Sequence, residues 1–282
     1  ACGAPPCTNL LFPVTAGRLS DDGSWTSWVG RAVLGYKLGE NINTYASVSR
    51  GRRPNMINVS DLGSDEVPAE IVWSYELGMK GASGDSRFVY DLSLFYYDYN
   101  DFQASVRNPT PPPFFITKNA GKAHAIGFEA SLFGRFTDHL NGWLNYGYIN
   151  AGFNAFDDDG GYQELAGNEF RMTPKQTIAL GLDWDIPLSD GRSLYVRPSY
   201  NWRGHVYFED DNTPGIDQDS YGLLNLRAGM RFNENWEVMV WGNNLADEEH
   251  LIDAGNTGRL FGIPTVIPGP SLHYGVSLRA KF

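Results

Sequence analysis

The strongest constraint in this sequence is a two-residue alternation that returns, segment after segment, over about ten residues at a time. Ile178, Leu180, Leu182, Trp184 and Ile186 alternate with Thr177, Ala179, Gly181, Asp183 and Asp185. Leu194, Val196, Pro198, Tyr200 and Trp202 alternate with Tyr195, Arg197, Ser199, Asn201 and Arg203, and Ile126, Phe128, Ala130, Leu132 and Phe136 oppose Gly127, Glu129, Ser131 and Arg135. The chain closes on the same pattern, with Leu272, Tyr274, Val276, Leu278, Ala280 and Phe282 set against His273, Gly275, Ser277, Arg279 and Lys281. A period of two belongs to a β-strand, whose side chains point to opposite faces in turn. About eleven strands result, over 26–38, 42–51, 70–81, 87–107, 118–136, 140–150, 174–186, 192–203, 220–232, 235–245 and 271–282. Strands of soluble domains usually run about five or six residues, whereas a strand tilted across a bilayer needs about 9–11. The lengths favour strands that cross a membrane.

The connections carry a second regularity, because short and long alternate strictly. Short turns fall at 39–41, 82–86, 137–139, 187–191 and 233–235; long Asp-, Asn-, Gly- and Pro-rich loops fall near 52–69, 108–117, 151–173, 204–219 and 246–270. Outer-membrane barrels have tight turns on one side and long loops on the other. Aromatic residues gather at both ends of the apolar parity. Tyr36, Phe88, Tyr90, Phe136, Trp184, Phe232, Trp236 and Phe282 lie beside the short turns, and Trp25, Trp28, Trp73, Tyr96 and Trp202 lie toward the long loops. Two such girdles mark the interfaces of a transmembrane barrel.

The opposite parity holds Arg31, Glu76, Asp91, Glu129, Arg135, Asp183, Arg197, Arg203, Arg227, Arg231 and Arg279. Isolated buried charges are costly, so this face needs water or a polar partner filling a lumen. The mean hydropathy of −0.34 is then no sign of solubility, since half of every strand faces a wet interior. The longest uncharged stretch, 260–278, is interrupted by Pro264, Pro268 and Pro270 and forms no membrane-spanning helix. A net charge of −11 and the lack of a basic stripe argue against a nucleic-acid partner.

Cys2 and Cys7 are the only cysteines, close together around Pro5 and Pro6. Both a small disulfide loop in an oxidising compartment and two free thiols remain open; no His lies near enough in sequence to make a zinc site with them. The acidic runs Asp157–Asp159 and Glu209–Asn212, with Asp217 and Asp219, contain oxygen ligands of the kind calcium takes. Their spacing does not fit the EF-hand loop, because Gly161 falls where an Asp or Asn is needed. Solvated loops fit better, and neither a metal nor a cofactor is expected.

On these residues the chain resembles the C-terminal half of the barrel of a TonB-dependent outer-membrane receptor. The resemblance rests on TYASVSRGRRPN (44–55), VWSYELGMKG (72–81) with Glu70 ahead of it, NAGKAHAIGFEASL (119–132), TPKQTIALGLDW (173–184), WGNNLADEEH (241–250) and the terminal LHYGVSLRAKF. It implies an all-β, antiparallel up-and-down barrel of 22 strands in the Gram-negative outer membrane, holding an N-terminal plug. Residues 1–24 are then the remnant of an extracellular loop and 25–282 the C-terminal part of the barrel, without the plug and the TonB box. The resemblance implies active uptake of a scarce ligand, a ferric siderophore or else cobalamin or an oligosaccharide, driven through the TonB complex. Tyr274, Val276, Leu278 and Phe282 match the terminal strand that barrel-assembly machinery recognises. Candidate ligand contacts are Phe114, Phe115, Tyr162, His205, Tyr207, Arg259 and Phe261, each of which has packing within its own loop as the alternative role. Arg197, Arg203, Arg227 and Arg231 are candidates for holding the plug by ion pairs. Two other readings stay open: a small diffusion porin, and a hydrolase with a rim site. For the latter the sequence has neither G-x-S-x-G nor H-E-x-x-H, only His205 with Asp210, or His250 with Asp253, as a base and its orienting acid.

Overall fold

The structure is a computed structural model that describes residues 20–60, 63–108, 115–155, 165–255 and 263–281. Eleven strands form one sheet: β1 (Gly30–Lys37), β2 (Ile42–Arg53), β5 (Glu70–Ala82), β6 (Phe88–Asn100), β9 (Lys122–Arg135), β10 (Leu140–Ala155), β11 (Gln176–Pro187), β12 (Ser193–Arg203), β15 (Tyr221–Arg231), β16 (Trp236–Asn243) and β19 (His273–Ala280). Each is antiparallel to the one before it, so the order along the sheet is the order along the chain. Eight short strands pair into four hairpins on the long connections. They are β3 (Met56–Ser60) with β4 (Gly63–Val67), β7 (Gln103–Arg107) with β8 (Phe115–Asn119), β13 (Val206–Tyr207) with β14 (Asp217–Gln218), and β17 (Leu251–Gly255) with β18 (Thr265–Pro268). Among the described residues the only helical piece is a 3-10 turn, Ser189–Gly191.

Register keeps the two parities apart, because residues paired across antiparallel strands share a face. Leu94 pairs with Phe128, Leu144 with both Leu132 and Leu180, and Val240 with Val276. These side chains make an apolar face that is turned outward, not packed into a core: Leu94, Leu144, Leu180 and Val276 are all exposed. Most buried apolar residues lie instead at the long-loop end, under the hairpins.

The polar face has a packing rule of its own. Tyr45, Phe95, Trp143, Tyr195 and Trp241 stand directly opposite Gly78, Gly127, Gly181, Gly229 and Gly275. Each ring reaches over its glycine, so that a Cβ on Gly78 would fall 2.2 Å from the Tyr45 ring and one on Gly229 would fall 2.5 Å from the Tyr195 hydroxyl. Five of the chain's 32 glycines are used in this way, each with an aromatic partner.

Three expectations are corrected. The spans 87–107 and 118–136 are not continuous strands. The chain leaves the sheet after Asn100 and re-enters at Lys122, through Asp101 (φ 56°) and Gly121 (φ 70°). Backbone bonds from Phe102 N–H to Gly121 O (2.9 Å) and from Ala120 N–H to Phe102 O (2.6 Å) pin the break. The long loops are also not irregular throughout, since each of the four hairpins satisfies loop backbone groups that would otherwise need water. The first strand begins at Gly30, four residues later than the alternation suggests.

Candidate functional site

At the long-loop end the polar face of β6 carries Phe95, Tyr97 and Tyr99 in succession. Phe95 and Tyr97 stack at 5.2 Å between centroids, and Tyr97 meets Tyr99 edge-on at 6.4 Å. Beyond the turn at Asp101 the row continues through Phe102, 5.4 Å from Tyr99, to Phe153 of β10 (5.3 Å) and Phe170 (5.0 Å). Ala104, Val106, Ala120, Ala123 and Leu165 are buried around these rings. Each ring pair adds about 0.5–1.5 kcal/mol beyond its area burial, so the wall is locked in shape rather than loosely lined.

Polar groups fix the segments that carry the wall. Gln103 is 4% exposed; its Nε2 donates to Pro54 O (3.0 Å) and Pro68 O (2.8 Å), its N–H donates to Glu70 (2.9 Å), and its carbonyl accepts from Arg53 (3.0 Å). Lys118 of β8 reaches Asp65 of β4 at 2.5 Å, tying two hairpins together. The segment after β10 is joined to the 204–220 loop by Asn168 Nδ2 to Asp210 O (2.9 Å), Glu169 N–H to Asn212 Oδ1 (2.7 Å) and Met172 N–H to Tyr207 O (2.7 Å). Burial pushes the Asp210 carboxyl above its ordinary value, against the opposing pull of Arg171. Lys175 is held up by its bond to Glu169 at 2.5 Å. Between these parts lies a hollow of about 310 Å³ bordered by Arg53, Phe102, Gln103, Phe170, Arg171 and Asp210. A larger hollow, about 690 Å³, is lined by Leu34, Tyr36, Leu77, Leu92, Leu94 and Phe128. Most of its lining belongs to the apolar face, with Thr44, Tyr45, Ser93 and Glu129 as the polar residues at its border.

Of the candidate contact residues, Phe114, Tyr162, Arg259 and Phe261 lie outside the described residues, as do Cys2, Cys7 and Phe282. Phe115 opens β8 opposite Arg107. His205 and Tyr207 sit together, ring edge to ring face at 4.7 Å, beside the hairpin β13–β14. His205 Nε2 meets Asp217 Oδ2 at 2.9 Å, so its acid partner is Asp217 and not Asp210, which lies against the Arg171 N–H instead. His250 is buried, stacked on Tyr221 at 4.6 Å, with Nδ1 against Glu248 O and not against Asp253. Neither of the two base–acid pairs read from sequence forms. The acidic run also fails to converge, for Asp211 accepts from Thr213 N–H and Asn212 from Glu169 N–H while Asp210 turns inward. His205, Asp217 and Asp219 bring one donor atom each within 4.8 Å, yet Asp217 is already engaged by His205 and by Gly215 N–H (2.8 Å).

Nearer the short turns, Arg197 binds Asp183 at 2.6 Å and Arg231 binds Asp185 at 2.8 Å. Both guanidinium groups lie over the Tyr195 ring, at 4.7 and 4.6 Å, and its hydroxyl donates to Glu237 at 2.6 Å. Two of the four arginines suggested for a plug are therefore already used inside the wall. Arg203 donates to Met172 O at 3.2 Å, and Glu76 accepts from Tyr45. Arg31, Glu129, Arg135 and Arg227 make no ion pair among the described residues. The short-turn girdle residues Tyr36, Phe88, Phe136, Trp184, Phe232 and Trp236 are exposed on the apolar face, with Tyr90 partly covered. Tyr274, Val276 and Leu278 are exposed along β19, the last strand of the sheet.

Alternation does not single out the aromatic wall. In the run Phe95-Tyr96-Tyr97-Asp98-Tyr99 rings fall on both parities, which hides the inward row. The signal that could have found it is parity itself, since Phe95, Tyr97 and Tyr99 continue the parity of Asp91 and Ser93.

Comparison with known proteins bears on this geometry. The family model described as TonB dependent receptor-like, beta-barrel, matches residues 12–245. A ferric-pyoverdine receptor, PbuA, of Pseudomonas sp. is 27% identical over 242 residues, covering 86% of this chain and 28% of the relative. The solved ferric yersiniabactin uptake receptor FyuA of Yersinia pestis superposes with a TM-score of 0.74 at 23% identity, over 90% of this chain and 37% of that one. The siderophore receptor PiuA of Acinetobacter baumannii gives a TM-score of 0.72 at 20% identity, over 89% and 35%. The chain thus spans between about a quarter and two fifths of the length of these relatives.

Proposed function

Because the chain belongs to the TonB dependent receptor-like β-barrel family, we propose that it forms the C-terminal part of the barrel wall of an outer-membrane receptor in a Gram-negative bacterium, and that the intact receptor imports a ferric siderophore. The apolar face meets lipid, with the short-turn rings at the periplasmic interface and Trp28, Trp73 and Tyr96 at the outer one. The polar face lines the lumen. The long loops and their hairpins then surround an outer vestibule, and the row from Phe95 to Phe170 forms its inner wall. That row carries the reading, because its half-buried rings Phe95, Tyr97, Tyr99, Phe102 and Phe170, backed by the buried Phe153, give the polar face a packed aromatic surface at the end where a ligand arrives.

Other relations follow from the same placement. Arg31, Arg135, Arg203 and Arg227 face the lumen and offer hydrogen bonds and charge to a plug, while Arg197 and Arg231 brace the wall. In the intact receptor, coupling to the TonB complex runs through a segment ahead of the plug. Tyr274, Val276, Leu278 and Phe282 present the strand read by the assembly machinery. The names of the relatives, receptors for ferric pyoverdine and ferric yersiniabactin, support iron chelates over cobalamin or oligosaccharides. The role is transport and not catalysis, consistent with a family of receptors.

Binding tests this directly. Purified intact receptor carrying this chain is titrated with ferric and iron-free siderophores, with cobalamin and with oligosaccharides, and tryptophan fluorescence is followed. Saturable quenching by a ferric chelate is expected; saturation by cobalamin or an oligosaccharide alone overturns the assignment of cargo.

A further inference from the structure

If the chain serves transport, as proposed above, the charge at its mouth bears on the charge of the cargo. Among the described residues, those within 20–29, 54–69, 101–121, 156–175, 204–220 and 244–272, at the long-loop end, include 15 Asp and Glu against 4 Lys and Arg. The described strands and short turns hold 13 Asp and Glu against 16 Lys and Arg. Among the described residues, all of the excess negative charge therefore lies at the mouth. Two described cations there are paired, Lys118 to Asp65 and Lys175 to Glu169, both at 2.5 Å, and Arg171 lies near enough to Asp210 to act on its carboxyl. Arg53, at the rim of the hollow, lies 3.9 Å from Glu70 and donates to Gln103 O. Charges lining a cleft set up a field that concentrates ligands of opposite sign and repels those of the same sign, and at physiological salt it reaches about 8 Å.

A second observation points the same way. Gln103, bordering the hollow between Phe102 and Phe170, spends both amide hydrogens on Pro54 O and Pro68 O, which leaves its buried Oε1 without a donor. An amide oxygen accepts N–H or O–H and offers nothing to an anionic oxygen. We propose that the vestibule selects a ferric chelate that is neutral or positively charged overall and presents N–H or O–H donors to its wall. Three hydroxamates, each carrying one negative charge, balance Fe³⁺ and give a neutral complex; three doubly charged catecholates leave it trianionic. The first class fits this mouth and the second does not.

The test uses the intact receptor in iron-starved cells, with three radiolabelled iron complexes: a neutral tris-hydroxamate, the same chelate bearing a pendant ammonium, and a tris-catecholate. The first two should enter, and the trianion should enter at least about ten-fold more slowly. Replacing two exposed loop carboxylates by lysine (Glu249→Lys, Asp253→Lys) should narrow the gap between cationic and trianionic chelates several-fold, with neutral uptake reporting that the receptor still folds. Trianion uptake equal to or faster than that of the neutral complex overturns this inference while leaving the transport reading intact. Entry of no chelate at all overturns the transport reading, and this inference with it.

Discussion

Phe102 shows how much a single residue can hold together at the long-loop end. It bridges the rings of β6 to Phe153 and Phe170 just where the chain leaves the sheet. Phe102→Ala should cost about 3 kcal/mol, the lower end for a large buried ring because this one is only partly covered. The loss should be local, read as faster proteolysis of the 103–119 and 165–175 segments with the sheet intact; unchanged cleavage would show that the rings are not coupled. Asp210 makes a pH-dependent contribution at the same place. Its carboxyl is raised by burial, so the folded loop holds the proton more tightly than the unfolded one. The added stability is present in full below the ordinary carboxylate value and fades as pH rises through the raised value. Hydrogen exchange at the Arg171 amide, which donates to Asp210 Oδ1, should be slower on the acid side once intrinsic rates are removed. Asp210→Asn should flatten that slope, and a slope that persists contradicts the assignment.

For the strands, alternation alone makes the sheet legible in the sequence. Turn positions and strand order follow from it, because a face that meets one environment along its whole length leaves a two-residue signature. It does not reveal the departures from the sheet at Asp101 and Gly121, or the hairpins on the loops, which depend on tertiary contacts such as Lys118 with Asp65. Nor does it reveal that the glycines lie under rings. Gly229 is the sharpest case, since a Cβ there meets the Tyr195 hydroxyl at 2.5 Å and Val238 O at 2.7 Å. Gly229→Val should displace Tyr195 from Glu237 and strain the β15–β16 pairing, at roughly 1–3 kcal/mol. The folded band of the intact receptor on SDS gels should be lost at a lower temperature. Gly39→Ala, with open space around it, should change nothing; equal effects of the two would refute the ring-over-glycine account.

Across the whole molecule, the faces and ends divide the labour. The apolar face is turned outward, the polar face holds charges braced into the wall by pairs such as Arg197 with Asp183, and the negative excess of the described residues sits at the long-loop end. β1 and β19 end the sheet without a further neighbour among the described strands, and open edges of that length are ordinarily paired or covered. A receptor of the relatives' length, closing these edges into a barrel, meets that need. His205 and Tyr207 are legible in the sequence as a pair of candidates in one loop, but the acid facing His205 is not, because Asp217 reaches it only through the β13–β14 hairpin. The most direct test of the central claim is uptake of radiolabelled ferric siderophore by iron-starved cells carrying the intact receptor, with and without a working TonB complex. Accumulation that requires both the receptor and TonB is predicted. Accumulation that continues unchanged when TonB is removed would mean that the chain belongs to a passive pore and would contradict the account.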